Sequence, residues 1–214
     1  MTQPDTSQFR ISGDTHNETD VAETMDRRLL QDIAEARSRQ SMEQLYRRYQ
    51  SKLIPFLQRM TKDPALTEEV YNDVMLTIWN KAESFRGQSK VSSWVFSIAY
   101  RACLKRLQRN GVYQKLKDLL SLGTETDQEA IHGDEAAAFE YKDLVRKALD
   151  TLPTKQRIVV ELAYFEGYSV SEIADIADCP VNSVKTRLFY ARKKLNSYIS
   201  DQEGISGYDD TNSL

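Results

Sequence analysis

The segment "EGYSVSEIADIADCPVNSVKTRLFYARKKL", Glu166–Leu195, decides the fold. Ser169 and Glu172 have the S-x-x-E spacing of a capping box at the head of a short helix, which carries Val170, Ile173, Ala174 and Ala177 inward. "ADCP" breaks that helix, because Pro180 cannot continue it but suits the first turn of another. A second helix is therefore expected from about Pro180 to about Ile199. At about 100° per residue, Val181, Val184, Leu188, Ala191 and Leu195 form its apolar stripe. Asn182, Lys185, Thr186, Phe189, Tyr190 and Lys193 point the other way. Two helices joined by a short turn, the second basic on its outer face, form a helix-turn-helix.

No acidic residue interrupts Cys179 to Ser200, and a merely solvated face has no need of two aromatic rings. That face is expected in the major groove of DNA. Asn182 and Thr186 would hydrogen-bond base edges, Phe189 would pack on a thymine methyl, and Lys185, Arg187, Arg192, Lys193 and Lys194 would engage phosphates or bases.

Outward from this segment, the charge is distributed in blocks. The net −3 conceals +7 over residues 26–110 and +3 over 141–200, against −4 over 1–25, −5 over 111–140 and −4 over 201–214. Two basic modules joined and flanked by acidic stretches suit a polyanionic partner. The periodicity is helical throughout both modules, with no strand alternation and no repeat. The expected class is all-α, with two small helical domains at 26–110 and 140–200. The expected connections are a flexible acidic linker at 111–139 and disordered tails at 1–25 and 201–214.

In the first module, "TEEVYNDVMLTIWNK" puts Val70, Tyr71, Val74, Met75, Ile78 and Trp79 on a broad core arc. The opposite face holds Glu69, Asn72, Asp73 and Asn80 around an outward Leu76, an apolar anchor in a polar rim such as protein docking uses. In "KVSSWVFSIAYRACLKRLQRN", Phe96, Tyr100, Cys103, Leu104 and Leu107 make the buried stripe, and Trp94, Ile98, Arg101, Lys105 and Arg109 line the other side. From Phe85 to Asn110 there are six Lys and Arg and no acid. The polar loop "SFRGQSK" just before this helix supplies Phe85, Arg86, Ser89 and Lys90. Cations for phosphates beside surfaces for unstacked bases suit single-stranded nucleic acid.

These residues resemble a known family, the bacterial extracytoplasmic-function (ECF) sigma factors of the sigma-70 family. "LPTKQRIVVELAYFEGYSVSEIADIADCPVNSVKTRLFYARKKL" is similar to the family's C-terminal domain, and "TEEVYNDVMLTIWNKAESFRGQSKVSSWVFSIAYRACLKRL" to its N-terminal domain. The resemblance implies a sigma-2-like bundle and a sigma-4-like helix-turn-helix domain. It implies docking on core RNA polymerase through Glu69, Asn72, Asp73, Leu76 and Asn80. Promoter DNA would be read at the −10 element by Phe85, Arg86, Ser89, Lys90, Trp94, Arg101, Lys105 and Arg109. The −35 element would be read by Asn182, Ser183, Lys185, Thr186, Arg187, Phe189, Tyr190 and Lys193. It further implies an anti-sigma factor as partner and a linker threading toward the RNA exit path. Asn72, Arg101, Asn182 and Tyr190 depart from the residues frequent at those positions, the last three on promoter-facing sites.

No run approaches the roughly 20 apolar residues of a membrane span, and the N-terminus lacks an apolar signal core, so a cytoplasmic location without membrane insertion is expected. Cys103 and Cys179 are isolated, and His16 and His132 sit in polar stretches, so no metal or other cofactor is expected. No catalytic triad or phosphate loop is visible, which speaks against an enzyme. The competing reading is a free-standing helix-turn-helix regulator with an N-terminal sensor or dimerisation domain.

Overall fold

In a computed structural model, the backbone is described for residues 14–120 and 136–203 and the side chains for 20–109 and 143–202. These residues form α-helices, with one 3-10 turn and one π-helical turn, and no strand. The first module is α1 (Asp14–Ala36), α2 (Arg39–Thr61), α3 (Pro64–Lys81) and α4 (Val91–Leu120). The second is α5 (Ala136–Asp150), α6 (Thr154–Val160), α7 (Val170–Ala177) and α8 (Val181–Glu203).

Local chemistry sets many of these boundaries. Ser38 caps α2 by accepting from the Ser41 N–H, and Lys62 closes it in the left-handed conformation. Asp63 then caps α3 through the Leu66 N–H, with Pro64 at its first position. The expected capping box on α7 is formed in both directions between Ser169 and Glu172.

Three boundaries differ from the sequence reading. Residues 14–25, expected as tail, belong to α1, because this helix is anchored from within the module. The buried Asp26 accepts from Arg48 Nε at 2.7 Å and from the Tyr49 hydroxyl at 2.8 Å. The module end expected at residue 110 does not end α4, which runs on through Gly111 to Leu120 and absorbs the start of the expected linker. A single glycine costs a helix only about 1 kcal/mol, less than a continuing helix can offset. At the far end α8 extends to Glu203. The expected linker path and the tails at 1–13 and 204–214 lie outside the described residues.

Phe56, Leu53, Val74, Ile78, Val95 and Phe96 fill the core of the first module, and Ile158, Leu162, Ile176, Val184 and Leu188 that of the second. The two cores meet where α4 packs on α7, with the Phe96 and Tyr168 rings edge to face at 5.1 Å. After α6 the helix widens into a π-helical turn, Glu161–Phe165, which leaves Tyr164 and Phe165 exposed.

Candidate nucleic-acid interface

α3 and α4 pack side by side, and between them runs a groove of about 610 Å³. One wall carries Asp73, Leu76 and Asn80, and the other Trp94, Arg101, Lys105 and Arg109. The anchor and the basic ridge, read separately from the sequence, thus share one cleft. Leu76 is 59% exposed, large for a leucine on a packed helix. Glu69 ion-pairs with Arg106 across the two helices, and Asn72 accepts from the Tyr46 hydroxyl at 3.2 Å. Ile98, expected on the outer side, lines the groove but is buried, because α4 is covered on more sides than its polar pattern suggests. Trp79, assigned to the core arc, is only half-buried and lies under the Arg37 guanidinium at 4.7 Å.

The loop leading into α4 is shaped by side chains from elsewhere. Phe85 packs against Trp94 with the rings tilted and their centroids 5.5 Å apart, and both are half-buried. Gly87 adopts φ +70°, and Arg86 and Lys90 are exposed. Ser97 Oγ donates to the Trp94 carbonyl and accepts from Arg101, holding that guanidinium at the groove.

On α8 the outer face is as expected. Asn182, Lys185, Thr186 and Lys193 are exposed, Ser183 is half-buried, and Phe189 and Tyr190 are 57% and 54% exposed with their rings edge to face at 5.4 Å. The Thr186 hydroxyl donates to the Asn182 carbonyl, which leaves its lone pairs for an outside donor. Two assignments change. Arg187 lies away from this face, half-buried, with Nη1 3.4 Å from Cys179 Sγ. Lys194 donates to the Thr151 carbonyl and braces α8 on the α5–α6 turn. Val181, placed on the apolar stripe, is 40% exposed, because it opens the helix before the stripe reaches its neighbours.

The modules are joined by a polar seam that periodicity did not reveal. Arg59 of α2 ion-pairs with Glu161 and with Glu166 and lies over the Phe165 ring at 4.9 Å. Arg157 donates to the Arg59 carbonyl and pairs with Asp150, which also takes Lys62. Glu161 is 0% exposed; burial drives its pKa above the ordinary range, with Arg59 opposing. Lys90, in the loop, pairs with Glu172 of α7 at 2.8 Å. Burial pulls the Glu172 carboxyl upward, but the bonds from Lys90 and Ser169 outweigh it and hold the pKa below the usual value. Between the loop and the helix-turn-helix lies a cleft lined by Gln88, Ser89, Asp175, Asp178 and Cys179.

The pattern described as "Sigma-70 region 2" matches residues 45–112, and that described as "Sigma-70, region 4" matches 142–195. The ECF RNA polymerase sigma factor SigM of Mycobacterium tuberculosis (strain H37Rv) is 30% identical over 162 residues, covering 75% of this chain and 78% of SigM. The chain belongs to the ECF sigma factors of the sigma-70 family. ECF sigma-E factors are also similar. That of Haemophilus influenzae is 28% identical over 162 residues, covering 72% of this chain and 85% of its own. That of Escherichia coli (strain K12) is 26% identical over 159 residues, covering 71% and 83%. Among solved structures, CnrH in complex with the cytosolic domain of CnrY aligns with a TM-score of 0.59 at 21% identity, covering 83% of this chain and 98% of the other. The sigma factor RpoE of Bartonella quintana, in complex with the anti-sigma factor NepR, aligns with a TM-score of 0.58 at 24% identity, covering 74% and 96%. These two likenesses concern the fold.

This ECF sigma factor is accordingly a transcription initiation factor rather than an enzyme, and its partners are core RNA polymerase and promoter DNA. The region 2 match falls on the first module, so a free-standing regulator with a sensor domain is not favoured. Three sets of residues escaped the sequence reading: Arg106, the seam around Arg59 and Glu161, and the α1 pair Glu23 and Arg27. Each acts through a partner far away in the chain. No helix among the described residues is long and apolar enough to cross a membrane.

Proposed function

We propose that this sigma factor docks on core RNA polymerase through the outer face of α3, reads the −35 duplex with α8 and captures unstacked −10 bases with α4 and the loop before it. The observation carrying the reading is the α3–α4 groove, with an exposed Leu76 in a polar rim on one wall and an acid-free line of Trp94, Arg101, Lys105 and Arg109 on the other. Glu69, Asn72, Asp73 and Asn80 supply the rim, and Phe85, Arg86, Ser89 and Lys90 extend the basic wall into the loop. For the −35 element, Asn182, Ser183, Thr186, Phe189 and Tyr190 meet the base edges, and Lys185 and Lys193 the phosphates. Arg187 braces the helix against Cys179 and is left out of that set.

The seam bears on when the two readers work. Elements at −10 and −35 lie about 25 base pairs apart, roughly 85 Å at about 3.4 Å per pair. Here the loop and α7 touch through Lys90 and Glu172. Reading both elements therefore requires the modules to part, with polymerase holding them apart as a bivalent reader. CnrH was crystallised with the cytosolic domain of CnrY, and the Bartonella factor with an anti-sigma factor. We extend that kind of partner to this chain, and place its work in the cytoplasm, where the polymerase is.

The test is assembly. Leu76→Arg is expected to weaken binding to core RNA polymerase by at least about 30-fold, the loss of one central anchor of about 2 kcal/mol. Thermal unfolding should be unchanged, because Leu76 is exposed. Undiminished co-purification with core polymerase would refute the docking face.

A further inference from the structure

α4 begins without a capping residue of its own. Lys90 precedes its first residue and has no side-chain acceptor, whereas helix starts favour Ser, Thr, Asp or Asn. The acceptor comes from α1. The Glu23 carboxylate takes the Val91 N–H on both oxygens, at 2.9 and 3.1 Å, from 68 residues away. A carboxylate there satisfies an orphan donor and meets the positive end of the helix. Glu23 in turn holds Arg27, one turn further along α1, at 2.8 Å. Arg27 then grips the loop in three ways. Its Nη2 donates to the Ser89 carbonyl at 2.9 Å, and its guanidinium lies 5.6 Å from the Phe85 ring centroid. Its Nη1 also lies where a side chain at residue 87 would go: a Cβ built on Gly87 would come within 3.2 Å of it, and the φ of +70° already favours glycine there.

We propose that Glu23 and Arg27 are positioning residues for promoter opening: the pair presents the Phe85–Lys90 loop and the start of α4 in the geometry that receives an unstacked −10 base. This rests on the reading of that loop given above. Neither residue lies within the stretch matched by the region 2 pattern, which begins at residue 45. Neither is offered as touching DNA. Their work is to pay in advance the ordering entropy of a loop that contains a glycine and is held locally only at its ends, by the Phe85 N–H on the Ala82 carbonyl and by bonds to the Lys90 carbonyl.

The experiment uses the full chain with core RNA polymerase on a promoter recovered by run-off transcription from fragmented genomic DNA of the source organism. Two templates are compared, one fully duplex and one carrying mismatches that hold the −10 stretch open. For Arg27→Gln and for Glu23→Ala, transcription from the duplex should fall about tenfold or more. Transcription from the pre-opened template should fall no more than about threefold, since the cost of opening is already met. Amide hydrogen exchange across 85–93 should quicken while exchange in α2 and α3 stays as in the parent, and Arg27→Lys should recover part of the loss. Phe85→Ala with Lys90→Ala, which alters the loop directly, is run alongside. If that variant loses duplex transcription and the α1 variants do not, or if the α1 variants lose equally on both templates, the positioning role is overturned. If the direct variant also has no effect, the loop reading itself falls.

Discussion

Arg59→Leu should part the two modules. Arg59 is the one cation pairing directly with both Glu161 and Glu166 among the described residues, and it covers the Phe165 ring. Leucine retains much of the apolar stem but leaves Glu161, 0% exposed, without its ion pair while the seam is shut. The Oε1 atom of that carboxylate already has no hydrogen-bond partner among the described residues. Removing one member of a buried pair costs about 3–5 kcal/mol, and Arg157 nearby argues for the lower end. An opened seam lets water reach the carboxylate, so nearly all of this cost falls on the closed arrangement. About 3 kcal/mol is roughly a 100-fold shift, enough to bring a 99:1 equilibrium to near parity. Small-angle X-ray scattering of the free chain reads this directly as a rise in maximum dimension with unchanged helical circular dichroism. Adding Glu161→Gln should restore part of the closure, because a neutral amide is cheaper to bury than an unpaired carboxylate. Identical scattering from parent and Arg59→Leu would refute the assignment of the seam to these charges.

Two further outcomes are expected. Lys185→Ala with Phe189→Ala should weaken −35 recognition by about tenfold or more in footprinting while holoenzyme assembly stays intact, since both side chains are exposed on α8 and lie outside its buried stripe; equal protection of the −35 stretch would count against the α8 face. At pH 8, iodoacetamide should modify the folded chain at Cys179, which is half-buried, and spare Cys103, which burial pushes up to about 12 and so keeps as the unreactive thiol. Cys103 should label only as the chain unfolds, so its modification at native pH by mass spectrometry would contradict its place in the core.

The features legible in the sequence are those that depend on near neighbours along the chain. The Ser169–Glu172 cap, the break at Pro180 and the outward set from Asn182 to Lys193 follow from spacings of three or four residues, and each lies where helical geometry puts it. Charge rather than periodicity suggested Arg187 as a further phosphate ligand, whereas it is half-buried beside Cys179. Periodicity misplaced Ile98, which faces the groove side yet is buried. Residues 14–25 read as a tail because their worth to the fold lies in bonds made far along the chain, such as Glu23 to Val91. The seam was invisible for the same reason: Arg59 and Glu161 are 102 positions apart. Charge pattern located the two basic modules but could not separate a cation facing solvent from one spent on a partner.

The widened turn from Glu161 to Phe165 has a consequence for how such chains diverge. A π-helical turn holds one residue more than an α-helical register would, and each residue turns a helix by about 100°. Deleting a single residue there would leave the capping box, the reading helix and their motifs untouched. The extra residue is what such a deletion removes, so the stretch would return to α-helix with Glu166 four positions after Glu161, still on the side of the guanidinium. A sister protein can therefore lose one residue in this turn and keep both acids on one arginine, provided the width of the turn changes with its length.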